Sequence, residues 1–145
     1  MAPKTRLDPI VKLRGHEEEK AQIVLASAGR EVLTARQNLA DAEVRLLKQG
    51  RVGELARDYE VADAARSRAA HDVRQAADQV TRAKFREEQA RTAYISAHRK
   101  VEVVRRAADR KREDLVTEQN KAENKEIDTL ATLMYSYKRP PVGRF

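Results

Sequence analysis

The sequence predicts an all-α protein: a long antiparallel two-helix coiled-coil hairpin with an overhanging C-terminal helix. Three observations carry that expectation. Apolar residues recur every seven positions over most of the 145 residues. The composition is 37% charged and 4% aromatic, with no tryptophan, which is too poor in bulky side chains for a thick globular core. The prolines stand towards the two ends and a glycine pair marks one internal spot, leaving long Ala-, Glu-, Arg-, Lys- and Gln-rich runs of the kind that long helices use.

Residues 1–8 form a lead-in. Asp8 is suited to cap a helix whose first turn holds Pro9, because proline lacks only an N–H that has no partner there. Helix 1 then runs over about residues 9–49. Gly50 and Gly53, within KQGRVGE, stop the helix and let it restart, so the turn falls at about residues 50–53. Helix 2 covers about residues 54–137. Pro140 and Pro141 forbid further helix and leave residues 138–145 as a short basic tail.

Helix 1 repeats Leu25, Val32, Leu39 and Leu46, interleaved with Ala21, Ala28, Ala35 and Ala42, the alternating three-four spacing of a coiled-coil seam. Helix 2 answers with Leu55, Ala62, Ala69, Ala76, Ala83, Ala90 and Ala97. A second set is Tyr59, Val73, Val80, Tyr94, Val101, Ala108 and Leu115, broken by Arg66 and Glu87. Folding the chain back at Gly50 gives a register in which large faces small. Leu25 meets Ala76, Val32 meets Ala69, Leu39 meets Ala62, and Ala28 meets Val73. Arg14 then faces Glu87, and Arg66 faces Ala35 with its guanidinium turned outward. The alanines let two helices lie close while each Leu or Val fills the room an opposing Ala leaves.

In that register helix 1 ends opposite about residue 94. Helix 2 runs on for ~40 residues, or ~60 Å at the helical rise. Its seam persists as Ala97, Val101, Val104, Ala108 and Leu115, and a terminal amphipathic stretch sets Ile127, Leu130, Met134 and Tyr137 on one face. An apolar stripe without a partner in its own chain predicts a partner from outside. Arg105, Arg106 and Arg110 flank the stripe. They are either an electrostatic docking surface or a solvated face with internal pairs such as Glu102 with Arg106. The expected partner-binding residues are therefore Val101, Val104, Arg105, Arg106, Ala108, Arg110, Leu115, Ile127, Leu130, Met134 and Tyr137.

Nothing points to catalysis. His16, His71 and His98 have no neighbouring ligand at helical spacing, cysteine is absent, and there is no phosphate loop or nucleophile motif. No catalytic, cofactor-binding or metal-binding residue, no cofactor and no small-molecule substrate is expected. The start, MAPKTRLDP, lacks the apolar region of a secretion signal, and the longest uncharged apolar stretch, QIVLASAG, is too short to span a bilayer. The terminal apolar face is short and has no Trp or Phe anchor before the prolines, which speaks against membrane insertion. These features predict a cytoplasmic protein. The net charge of +7 admits a basic coiled-coil nucleic-acid binder as an alternative, but such helices need an uninterrupted basic face and acids are interspersed throughout the overhang. A generic coiled-coil scaffold is a second alternative. It would not require a glycine break that aligns large with small residues inside one chain.

RLDPIVKLRGHEEEKAQ near the start, LASAGREVLTARQNLADAEVRLL after it and EQNKAENKEIDTLA near the end resemble the FliJ family of flagellar type III export proteins, to which the YscO-like injectisome proteins are related. Arg6, Leu7, Leu13, Arg14, Glu17 and Glu18 match the family's opening pattern. Glu118, Gln119, Lys125, Glu126, Asp128 and Leu130 match its closing one. The tyrosine-rich end MYSYKRPPVGRF departs from it. The resemblance implies a non-enzymatic component, similar to the stalk subunit of rotary ATPases, seated in the hexameric export ATPase and linking it to the membrane export gate. It also implies contact with export chaperones and a place on the cytoplasmic side of the inner membrane, at the base of the export apparatus.

Overall fold

A computed structural model of the chain describes residues 2–49 and 56–138. It consists of two helices, α1 (Asp8–Lys48) and α2 (Ala56–Lys138), packed against each other with no strand among the described residues. The expected turn at 50–53, Leu55 and the tail from residue 139 lie outside the described residues.

The N-terminus of α1 is built differently from the sequence expectation. Asp8 is not the cap but the acidic residue of the first turn. Thr5 donates its backbone N–H to Asp8 Oδ2 and its hydroxyl to Asp8 Oδ1, each at 2.9 Å, and the Asp8 N–H returns a bond to the Thr5 carbonyl at 3.2 Å. This is one half of a capping box, in which an acid inside the helix satisfies the N–H of the residue that caps it.

The chain divides into two compact units, residues 14–100 and residues 1–13 with 101–145. In the first, α1 and α2 run antiparallel: as α1 advances from Glu18 to Glu31, its cross-helix partners retreat from His98 to Arg86. Its core is thin. Val32 and Ala35 cluster with Val80 and Ala83, and Leu39 packs against them. Large side chains of one helix thus meet small ones of the other, as helices in close approach require.

The register differs from the expected one. Val32 and Ala35 meet Ala83 and Val80, two heptads further along α2 than the Val32–Ala69 pairing expected from size complementarity. Arg14 does not face Glu87: it pairs with Glu17 on its own helix at 2.7 Å. Glu87 lies 3.7 Å from Arg91 and beside Gly29, where a Cβ would stand 3.9 Å from its Oε1. Ala35 sits in the buried cluster, and Arg66 is exposed rather than laid across it. The physical reason is the heptad itself. A slip of two whole heptads keeps every a and d position on the seam, and in the alanine ladder of α2 it exchanges one alanine for another. Contacts that do not repeat, Glu31 with Arg86 at 3.5 Å and Glu18 with His98 at 2.6 Å, distinguish the registers.

In the second unit, the N-terminal segment packs on α2. Asp8 accepts a bond from the Arg112 guanidinium, and Arg112 also holds Asp109 at 2.7 Å. The seam here is closed: Val101 is 0% exposed and Ala108 1%.

Candidate functional site: the exposed face of the α2 terminus

The slip in register redraws the surface expected to bind partners. Val101 and Ala108 are buried within the chain, and Val104 and Leu115 are half-buried. The stretch from Val101 to Leu115 therefore does have an intramolecular partner, because the start of α1 reaches as far as Arg112 rather than ending opposite residue 94. Its arginines are also partly engaged. Arg105 and Arg106 share Glu102 at 3.1 and 3.9 Å, whereas Arg110 is exposed and has no ion-pair partner among the described residues. These i,i+3 and i,i+4 pairs are largely solvent-exposed and contribute at most a few tenths of a kcal/mol each.

Beyond Leu115 every described residue is exposed. Ile127, Leu130, Met134 and Tyr137 repeat at a three-four-three spacing, and Leu133, overlooked in the sequence, widens the same face. Tyr137 is 91% exposed. A helix whose apolar stripe faces water across three turns has no tertiary packing to hold it and offers that stripe to a partner. Glu126 and Asp128 stand on either side of Ile127 in the sequence, and Lys125 and Lys138 bracket the stripe. Thr129 and Thr132 direct their hydroxyls back to the carbonyls of Lys125 and Asp128, at 2.7 and 2.8 Å, which satisfies them within the helix and leaves the face apolar.

Ionisable chemistry elsewhere is local. Among the described residues Asp8 has its carboxyl pKa lowered, first by the Thr5 backbone N–H and hydroxyl and then by the Arg112 guanidinium. Its lowered pKa means that the clasp it makes is complete above the ordinary carboxylate pKa and is lost as pH falls through the lowered value. Amide-exchange protection at Thr5 is expected to be constant near neutrality and to drop in acid. Asp8→Asn is expected to remove that pH dependence, and a wild-type profile flat through the acid range would refute it. His98 is more than a solvated histidine: it contacts Glu18 across the helices and stacks on Tyr94 with ring centroids 6.0 Å apart. Sequence spacing could not show this, since Glu18 lies 80 positions away. His16 contacts only Glu19 at 3.4 Å, and His71 is exposed. Among the described residues no group of three or more His, Asp or Glu side chains is placed to hold a metal. None of the described helices is long and apolar enough to cross a membrane. A shallow groove of about 470 Å³ between the helices carries Arg30, Arg82 and Arg86, but Glu31 projects into the same groove and pairs with Arg86.

A thin-seamed helical hairpin with an uncovered apolar end defines the class: a coiled-coil protein that presents surfaces. A model of the flagellar FliJ protein family matches residues 3–140 of the 145. The chain belongs to the FliJ family and is a protein associated with flagellar type III export. No curated protein and no solved structure matches it.

Proposed function

We propose that the chain is a non-enzymatic stalk and adaptor of the flagellar export apparatus, coupling the hexameric export ATPase to the membrane export gate and contacting export chaperones on the cytoplasmic side. One observation carries this reading within the family: α2 continues past the intramolecular seam as a single helix whose face of Ile127, Leu130, Met134 and Tyr137 is exposed. Such an end can be gripped by a ring, and a stalk acts by binding the ring's states unequally, so that contact energy alone shifts their populations. We put the contact at this terminal face rather than at Val101–Leu115, where Val101 and Ala108 are buried within the chain. Arg105, Arg106 and Arg110 remain on the surface as steering charges that set orientation and salt dependence.

The test uses purified export ATPase and the full chain. The double variant Ile127→Glu and Met134→Glu is expected to keep its helicity, since glutamate is a good helix former, and to weaken binding and any ATPase stimulation at least tenfold with little salt dependence. Reversing Arg105, Arg106 and Arg110 to Glu is expected to weaken the same binding mainly at low salt. Undiminished binding by the terminal double variant would remove the α2 end as the contact.

A further inference from the structure

α1 carries a second apolar stripe on the face turned away from α2. Ile23, Ala26, Leu33, Ala40, Val44 and Leu47 are all exposed, whereas the α1 residues on the seam include the buried Ala28, Val32, Ala35 and Ala42. The six occupy a heptad frame of their own, with a at 23, 30, 37 and 44 and d at 26, 33, 40 and 47; only Arg30 and Gln37 interrupt it. A lone exposed leucine needs no explanation, but six apolar residues on one heptad frame between residues 23 and 47, broken at Arg30 and Gln37, have the spacing of a coiled-coil seam without its second strand. All of it lies in the compact unit of residues 14–100.

We infer that the part of this stripe from Arg30 to Leu47 is the interface of an antiparallel dimer, α1 against α1 of a second copy of the chain. The charges that border it select that occupant. In an antiparallel pair, a packs against d, g residues meet g residues and e residues meet e residues. When Leu33 is set opposite Val44 of the second copy, Gln37 meets Ala40, and Arg30, which lines the groove shared with α2, stands at the position opposite Leu47. The bordering g positions then bring Arg36 against Glu43 twice by symmetry, and the e positions pair Thr34 with Asp41 and Ser27 with Lys48. No like charges meet. Within the chain Arg36 and Glu43 are exposed and have no ion-pair partner among the described residues, so the complementary groups are available. A parallel pairing would instead stack Arg30 on Arg30 inside the seam, where two like charges repel. The two-fold antiparallel arrangement is also self-limiting, since each copy uses the same patch.

Sedimentation equilibrium of the full chain, from micromolar to submillimolar concentration, tests this. The expected result is a mass that rises from one chain to two. Leu33→Glu is expected to leave helicity intact and keep the chain at the mass of one throughout. Arg36→Glu and Glu43→Arg are each expected to weaken dimerisation by roughly tenfold, because two opposite-charge contacts become two like-charge ones. The chain carrying both reversals is expected to recover wild-type association, since the pair is restored in the opposite sense; a parallel coil, which would set Arg36 beside Asp41 and Glu43 beside Lys48, would not recover. A single-chain mass at all concentrations overturns the proposal and leaves the stripe to a foreign helix. A dimer indifferent to Leu33→Glu, or a double reversal as weak as either single one, overturns it equally.

Discussion

Replacing Ala83 by leucine is expected to destabilise the hairpin by about 1–3 kcal/mol through overpacking. Ala83 is 2% exposed and clusters with Val32, Ala35 and Val80, so the added atoms have no space to enter without driving the helices apart. Separation is costly here because the seam is only one residue deep on each side, and a local widening uncovers neighbouring layers as well. The same change at Ala77, on the exposed side of α2, adds a good helix former to open solvent and is expected to cost close to nothing. Thermal melts of the two variants check the register as well as the packing. In the register expected from complementarity, Ala69 and not Ala83 would oppose Val32; coincident melts for Ala83→Leu and Ala77→Leu would refute the cluster described above.

Val101→Asp is expected to cost roughly 2–4 kcal/mol, since it buries a carboxylate without a partner. Val101 is 0% exposed, in the unit formed by residues 1–13 with 101–145. The neighbouring Val103 is exposed, and Val103→Asp should change the melt little. Hydrogen exchange separates a folding effect from a partner effect: the isolated Val101→Asp chain is expected to lose protection at Thr5 and along the first turns of α1. If that protection survives while partner binding alone is lost, Val101 belongs to a docking surface after all.

The helices and their faces could be read from the sequence because periodicity is a local property. Leu25, Val32 and Leu39 define one stripe whatever they meet. What they meet is not local. Val32 faces an alanine at position 69 or at position 83, and size complementarity scores the two alike. Only contacts that occur once, such as Glu18 with His98 and Asp8 with Arg112, distinguish the pairings, and with 30 basic and 23 acidic residues in the chain no such pair stands out beforehand. The candidate site followed the same division. Ile127, Leu130, Met134 and Tyr137 were legible as an exposed face because their exposure depends on nothing else in the chain. Val101 and Ala108 were assigned to a partner only because the register left them uncovered. The cap at Thr5 was displaced for a simpler reason: Asp8 can serve as the cap or as its acidic partner, and the hydroxyl three residues earlier decides for the second role.

The clasp between Asp8 and Arg112 joins residues 104 positions apart, against 80 for Glu18 and His98. Loop-closure entropy grows only slowly with length, so the wider closure costs little more than the narrower one. Within its own unit a shift of one heptad would keep the alanines of α2 on the seam yet set Asp8 opposite a side chain other than Arg112. The clasp thus acts as an index mark, fitting one count of heptads and no other.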